Sequence, residues 1–223
     1  MRRVLPFVRF TLIFILLNVL ARPASAEDIK TLTKKAEGGN VEAQFHLGIA
    51  YYEGQGVPKD YAEAIKWIRK VAEQGNAHAQ YNLGLMYAKG QGVPQDFTEA
   101  VKWYRKAAEQ GDADAQYKLG VAYAIGVGVP KDIAEAVMWL RKAAEQGNVE
   151  AQFHLGIAYY EGQGVPQDYV QSYFWFSLAA SRSDGEDYKK YSGRRGQVAK
   201  ILPPDKLMEA QQMTRDWEAN HPR

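Results

Sequence analysis

The side chains of this sequence best suited to chemistry are a carboxylate and an imidazole one helical turn apart. The pair occurs as Glu42 with His46 and again as Glu150 with His154. Such a pair can bind a metal ion or exchange a proton, but two ligands are too few for a closed zinc site. The pairs are 108 residues apart, a separation that predicts too large a distance for them to cooperate. We interpret both pairs as polar residues that face solvent or a partner.

No other pattern in the sequence predicts catalysis. S-x-x-K, H-E-x-x-H and G-x-S-x-G motifs are absent, as is a glycine loop that could cradle phosphate. The sequence contains no cysteine, which excludes a thiolate nucleophile, a cysteine-based zinc site and a disulfide framework. We therefore expect no enzymatic activity, no metal and no cofactor.

The charge distribution also argues against nucleic-acid binding. The nominal net charge is +2, with 28 Lys and Arg against 26 Asp and Glu. Four of the arginines lie in the first 26 residues, which leaves a mildly acidic remainder. Phosphate contacts supply most of the affinity of nucleic-acid-binding proteins, so such a chain is a poor candidate.

The amino terminus has the three-part pattern of an export signal. Arg2 and Arg3 are followed by an apolar run over residues 10–20 and by small residues at 24–26. We expect cleavage between Ala26 and Glu27, a periplasmic or secreted mature chain, and no stable membrane insertion after cleavage. An uncleaved anchor is the alternative, although the apolar run is short for a membrane span.

The rest of the chain is organised by an internal repeat. Residues 40–58 return letter for letter at 148–166, and the period is 36 residues. This period predicts an all-α solenoid of helix–loop–helix repeats. We place a partial leading helix at 27–39, four repeats at 40–75, 76–111, 112–147 and 148–181, and capping helices at 182–223.

Each repeat contains the signals of two helices. In the first copy the first helix should begin after the N-cap Asn40 and end at Gly54, which suits a left-handed conformation. Four positions recur on one face of this helix, in the first copy Gln44, Leu47, Gly48 and Tyr51. A glycine in mid-helix favours close approach of another backbone. The second helices begin with capping-box-like pairs, namely Asp60/Glu63, Asp96/Glu99, Asp132/Glu135 and Asp168/Gln171. Each second helix contains one tryptophan, which we interpret as a core residue rather than as a ring on which a ligand stacks.

These motifs together resemble a known repeat. The pattern A-Q-x-x-L-G-x-x-Y, then G-x-G-V-x-x-D, then W and A-A-E-x-G is similar to the Sel-one-like repeat, a relative of the tetratricopeptide repeat. The resemblance implies a right-handed superhelix whose first helices line a concave surface, and a role in holding other proteins together. Cysteine-rich members of this family cross-link each repeat with a disulfide bond, and this chain has no cysteine. Their disulfide-based stability and any penicillin-binding or lactamase label attached to them therefore do not transfer automatically to this chain.

The second helix of the fourth repeat departs from the pattern. Apolar residues replace charged ones, as at Phe174 and Leu178, which predicts that this helix is covered. Ser183 with Glu186 predicts a capping box that opens a helix to about Ile201, and a final helix should start at Pro204. These helices would seal the end of the solenoid.

The candidate binding residues lie on the first helices, opposite the recurring face. Aromatic and aliphatic rows cross the copies while the polar positions differ. A ligand along this face would meet the aromatic ring of each copy, or these residues instead pack between adjacent first helices; both interpretations remain open. The candidates are Glu42, Phe45, His46 and Ile49, then His78, Tyr81, Leu85 and Lys89, then Asp114, Tyr117, Lys118 and Val121, then Glu150, Phe153, His154 and Ile157.

The leading functional hypothesis is an exported, non-enzymatic scaffold that binds a protein or peptide partner on its concave face. The first alternative is a lactam-binding or β-lactamase-like protein or a cell-wall hydrolase, suggested by family association alone. The second is a periplasmic regulator of a membrane sensor.

Overall fold

The computed structural model describes the backbone of residues 26–221 and the side chains from Asp28 onward. The predicted export signal and its cleavage point between Ala26 and Glu27 lie outside the fully described residues. Over residues 26–221 the regular structure is helical, without a strand. The helices are α1 (Ala26–Glu37), α2 (Val41–Glu53), α3 (Tyr61–Glu73), α4 (Ala77–Lys89), α5 (Phe97–Glu109), α6 (Ala113–Ile125), α7 (Ile133–Glu145), α8 (Val149–Glu161), α9 (Tyr169–Ser181), α10 (Gly185–Ala199) and α11 (Pro204–Asn220).

The described chain forms two compact units. One ends at Lys70 and the other begins at Val71, so the boundary falls within α3. In the first unit α1 packs on α2, and the Gln44 side-chain amide donates a hydrogen bond to the carbonyl of Ala36 at 3.0 Å. Gln116 makes the same bond to Ala108 of a second helix, so α1 contacts α2 in the way that a preceding second helix contacts a first helix.

The first helices of the four repeats, α2, α4, α6 and α8, begin and end at the predicted residues. The Asn40 side-chain oxygen accepts a hydrogen bond from the amide of Ala43 at 2.8 Å, and the caps Asn76, Asp112 and Asn148 make the equivalent bond. At the other end, Gly54 has φ of 79°, a left-handed conformation that favours glycine. Both end signals were correctly predicted.

Each second helix forms only one of the two hydrogen bonds of the predicted capping box. Asp96 accepts a hydrogen bond from the amide of Glu99 at 2.9 Å. The reciprocal bond, from the cap amide to the glutamate side chain, does not form, because the amide of Asp96 donates to the carbonyl of Tyr87 at 3.0 Å. Glu99 instead contacts Lys102 at 2.9 Å. The cap therefore ties the second helix to the end of the first.

The mid-helix glycines mark the closest contact between the two helices of a repeat. A Cβ added to Gly120 would lie 2.9 Å from Cγ of Leu140 and 3.1 Å from the carbonyl oxygen of Ala136. Gly48 is equivalent in the unit ending at Lys70, where the added atom would lie 2.7 Å from the Ile68 side chain. The predicted close approach of another backbone is therefore confirmed at Gly48, Gly84 and Gly120, whereas the atoms nearest a Cβ on Gly156 all belong to the Phe176 side chain.

Buried glutamines connect successive second helices to the first helix between them. The Gln116 side chain donates to the carbonyl of Ala108 at 3.1 Å and accepts from the side-chain amide of Gln146 at 2.7 Å. In the last repeat Gln152 makes the first bond, but its buried oxygen has no partner among the described residues. Arg182 replaces the second glutamine there.

Two contacts join neighbouring repeats in the unit beginning at Val71, and sequence reasoning had assigned neither. The second glycine of the G-x-G turn packs against the preceding second helix: a Cβ on Gly164 would lie 2.7 Å from the carbonyl oxygen of Ile133. In addition, Arg141 donates to the hydroxyl of Tyr159 at 2.7 Å. The turn is thus a packing element as well as a change of direction.

The tryptophans belong to the core, as predicted. Trp67, Trp103, Trp139 and Trp175 are each less than a tenth exposed. In the earlier repeats a lysine one turn later covers the ring, as in Lys106 with its ammonium 4.0 Å from the centroid of Trp103. In α9 the buried Leu178 takes that lysine's position.

The last two helices cover α9 on the sides that are solvated in earlier repeats. Phe174 and Leu178 are buried at positions where an earlier repeat has the exposed Lys102 and Lys106, and α9 contacts both α10 and α11. Arg182 lies 4.6 Å from the ring centroid of Trp217 and donates to the carbonyl of His221. The predicted covering of this helix is confirmed.

The predicted start of α10 was wrong. The helix begins at Gly185, after Asp184, and the Ser183 hydroxyl donates back to the carbonyl of Ala180 at 3.1 Å. Glu186 contacts Lys189 at 2.6 Å. The serine therefore terminates the preceding helix, and the predicted capping box does not form.

Candidate functional site

The two carboxylate–imidazole pairs have different surroundings although their local sequences are identical. In α2 the His46 ring nitrogen Nε2 lies 3.8 Å from the Glu42 carboxylate, and both side chains are exposed. In α8 the His154 ring instead stacks on Tyr117 of α6, with centroids 5.8 Å apart. Among the residues whose side chains are described, no group of three or more His, Asp or Glu side chains could hold a metal ion.

In the unit ending at Lys70, the candidate residues line one side of α2. Phe45 and Ile49 are half-buried, while Glu42 and His46 are exposed. The rings of Phe45 and His46 lie 6.2 Å apart. The arrangement combines an apolar strip with a polar border.

In the unit beginning at Val71, three first helices present a shared surface, which we call the first-helix face. Its exposed members are polar, and most of its half-buried members are aromatic or aliphatic. It consists of His78, Tyr81, Leu85 and Lys89 from α4, Asp114, Tyr117, Lys118 and Val121 from α6, and Glu150, His154 and Ile157 from α8.

Polar contacts bridge adjacent first helices at their amino-terminal ends. His78 Nδ1 lies 3.0 Å from the Asp112 carboxylate, and the Asn148 side-chain amide donates to Asp114 at 2.8 Å. Asp112 and Asn148 are also the N-caps of α6 and α8. Their second role was not predicted, because a cap signal in a sequence does not show which neighbouring side chain the cap can reach.

The tyrosines of the first-helix face lie in partly desolvated, acidic surroundings. Burial, followed by the carboxylates of Asp114, Asp112 and Glu150, raises the pKa of Tyr81 to about 12. Burial and then Glu150 raise the pKa of Tyr117. Both hydroxyls are therefore neutral hydrogen-bonding groups at physiological pH.

Phe153 is the one predicted aromatic candidate that does not lie at the surface. It is buried, with its ring centroid 4.5 Å from that of Tyr191 in α10 and 5.5 Å from that of Phe176 in α9. The predicted row of aromatic anchors therefore does not extend to α8. The cap covers the position at which earlier copies leave a ring half-buried.

The cap also changes the chemistry of His154. Desolvation by neighbouring groups lowers the pKa of this imidazole although its side chain keeps exposed surface, Lys190 of α10 lowers the pKa further, and Glu150 opposes both effects. The ammonium of Lys190 lies 4.5 Å from the centroid of the Phe153 ring. At neutral pH the neutral imidazole is therefore favoured.

Within residues 26–221, no helix is both long enough and apolar enough to span a membrane.

Comparison with known proteins agrees with this architecture. The Sel1 repeat model matches residues 41–76, 77–112, 113–148 and 149–184. A comparison with curated protein sequences gave no significant match.

Two solved structures are similar over most of the chain. A protective antigen present in uropathogenic Escherichia coli strains, which displays an SLR fold, is 38% identical with a TM-score of 0.80. That match covers 94% of this chain but 44% of the E. coli protein, so the chain spans less than half the length of that relative. A Sel1 repeat protein from Oxalobacter formigenes is 36% identical with a TM-score of 0.72, covering 85% of this chain and 76% of that protein. Four consecutive repeats, the helical fold and these likenesses lead to one conclusion: the chain belongs to the Sel1 repeat family.

Proposed function

We propose that this protein is an exported, non-enzymatic scaffold that binds a protein or peptide partner on its first-helix face. Sel1 repeat proteins are generally scaffolds for protein interactions. The N-terminal signal pattern supports export, and the lack of a catalytic motif in the sequence supports a binding role.

The observation that carries the proposal is the position of Tyr81 and Tyr117. Both rings are half-buried: part of each packs against the hydrophobic core, and the rest stays accessible on the first-helix face. Large, rigid aromatic side chains of this kind commonly dominate the binding energy of protein interfaces. The polar residues around them differ from copy to copy, which would give a partner a defined register.

Site-specific photo-crosslinking in the exported full-length protein tests the proposal. A photoreactive residue at Leu85 of the first-helix face should crosslink to a partner, whereas the same residue at the exposed Lys102 of α5 should not. The double variant Tyr81→Ala with Tyr117→Ala should then weaken the affinity for the identified, purified partner at least about tenfold, because hot-spot truncations commonly cost 2 kcal/mol or more.

The control for the double variant is Lys66→Ala with Lys102→Ala, which changes second-helix surfaces only. Because Tyr81 also contacts Tyr104, at 6.0 Å between centroids, each variant must first melt cooperatively near the parent temperature. If the tyrosine variant is unfolded, the exposed charge reversals Asp114→Lys and Glu150→Lys replace it. A folded variant that binds the partner with unchanged affinity would refute the assignment to this face.

The enzyme alternatives have their own test. We expect the purified protein not to hydrolyse nitrocefin, and turnover above the rate of a heat-denatured sample would favour the lactamase-like alternative.

A further inference from the structure

The proposed scaffold function leaves the chemistry of the partner open, and the surroundings of Glu150 bear on it. Glu150 is exposed at the amino-terminal end of α8. Its charge raises the pKa values of Tyr81, Tyr117 and Tyr191, which belong to three different helices. The geometry places Glu150 beside Tyr117: His154, one helical turn after Glu150, stacks on the Tyr117 ring with centroids 5.8 Å apart, and Asn148 at the start of α8 donates to Asp114 of α6 at 2.8 Å.

Glu150 also differs from the other two acidic groups of this region. Asp112 contacts His78, and Asp114 accepts a hydrogen bond from Asn148. In the described part of the chain, Glu150 makes neither a hydrogen bond nor an ion pair. Its charge is therefore available to a ligand, without a competing partner to displace.

The aromatic rings next to it already lie close to ammonium groups. Lys118 places its ammonium 5.2 Å from the centroid of the Tyr117 ring. Lys190 places its own 5.5 Å from the centroid of Tyr191. Both distances are within the range over which a ring face attracts a cation. The Tyr117–Lys118 contact shows that a ring of the first-helix face can lie close to a cation, and the Tyr191–Lys190 contact shows the same for a ring of the neighbouring α10.

These two lysines supply positive charge that partly offsets the carboxylates. Lys118 belongs to α6 and Lys190 to α10, whereas the charges that raise the pKa of Tyr81 in α4 are the carboxylates of Asp114, Asp112 and Glu150. The acidic character of the surroundings is therefore strongest around Tyr81.

We propose that Tyr81, Tyr117 and Glu150 form a site for a lysine or arginine side chain of the partner peptide. The rings would contact the stem and the cationic head, and the carboxylate would neutralise the charge. This inference rests on the proposed function, which it deepens by specifying a cationic peptide as the ligand.

The chain offers a closely matched control for this site. Glu42 occupies the same position as Glu150 in an identical stretch of sequence, 40–58 against 148–166. Both side chains are exposed, so neither Glu42→Gln nor Glu150→Gln should affect folding. Each substitution removes the same charge, and the two differ in the surroundings of the lost carboxylate.

The experiment measures binding of two short fluorescent peptides by anisotropy at physiological ionic strength. One peptide alternates lysine with alanine, and the other alternates glutamate with alanine. We expect the full-length protein to bind the lysine peptide, with affinity reduced about fivefold or more by Glu150→Gln and changed less than about twofold by Glu42→Gln. The His154 proton resonances should shift during the same titration, since this ring lies beside the proposed site.

Three results would overturn the proposal: no binding of the lysine peptide, preference for the glutamate peptide, or equal weakening by the two substitutions. The last result would indicate attraction by net charge alone. If any of these is found while crosslinking from Leu85 still depends on Tyr81 and Tyr117, the scaffold function stands and only the cationic ligand is wrong.

Discussion

At the scale of single residues, two histidines show how identical local sequence leads to different chemistry. His46 faces Glu42 across one helical turn, at 3.8 Å. His154 stacks on a tyrosine of the preceding first helix and lies near Lys190 of the cap. The local sequence determines the helix and the position of the imidazole. The elements packed beside it determine which protonation state is favoured.

We expect His154 to titrate below the ordinary imidazole pKa of 6.5, because desolvation and Lys190 disfavour its charged form. Because folding lowers this pKa, His154 makes its full contribution to the stability of the fold above pH 6.5. This contribution is lost as the pH falls through the window below 6.5, where the folded protein resists protonation of the ring. NMR of the imidazole C2 proton against pH measures the midpoint, with His154→Gln for assignment.

A second variant checks the cause of this shift. Glu150 raises the pKa of His154, so Glu150→Gln should lower the midpoint further, whereas Glu42→Gln should leave it unchanged. A parent midpoint at or above 6.5 would contradict the effect of desolvation and Lys190.

Phe153 marks the limit of prediction at this scale. Its position in the repeat matches that of Phe45, Tyr81 and Tyr117, so the pattern predicts the same half-buried surroundings. The covering ring of Tyr191 comes from a helix outside the repeat. Periodicity describes what the copies share and contains no information on what packs against the last copy.

At the scale of helices, the glycines provide the sharpest test of packing. Gly120 and Gly196 both lie within helices, but a Cβ on Gly120 would meet Leu140 and Ala136 at 2.9 and 3.1 Å, whereas nothing lies within 4 Å of one on Gly196. We expect Gly120→Ala to lower the free energy of unfolding by about 1–3 kcal/mol through overpacking. Gly196→Ala should raise it by up to about 1 kcal/mol through helix propensity.

Urea denaturation of the two variants measures both effects, and a change in midpoint without a change in slope would show that stability alone has altered. The interpretation of Gly120 as a close-contact glycine would be wrong if its alanine variant were as stable as that of Gly196.

Helix boundaries were the most predictable part of the fold, and capping partners were less so. Asn40 and Gly54 carry their own signals, because a side-chain acceptor and a left-handed residue act locally. The Ser183 signal failed since its hydroxyl bonds the carbonyl of Ala180 at the end of α9. Where a polar side chain has two local partners, the sequence motif does not decide between them.

At the scale of the whole molecule, we expect the cap, α10 and α11, to prevent association of the last repeat with other molecules. Truncation after Ser181 removes α10 and α11 and should expose Phe174, Phe176 and Leu178, which are buried in the full chain. Exposed apolar patches of this kind promote association. We expect light scattering to show oligomers or aggregates of the truncated chain at concentrations where the full chain does not associate.

A chain truncated after Asn220 is the control, since it keeps both helices and should behave as the full chain does. If truncation after Ser181 changed neither the molecular mass in solution nor the melting temperature, the sealing role of α10 and α11 would be refuted.

The spacing of the bonds that connect repeats has a further consequence. Gln110 bonds Gln80 and Gln146 bonds Gln116, each pair 30 residues apart, and the two arginine–tyrosine bonds each span 18 residues. Because both spacings recur unchanged one period later, an additional repeat inserted between two existing repeats would find the partners of these two bonds in place. The same bonds could therefore join a larger or smaller number of repeats without a change in the residues that form them.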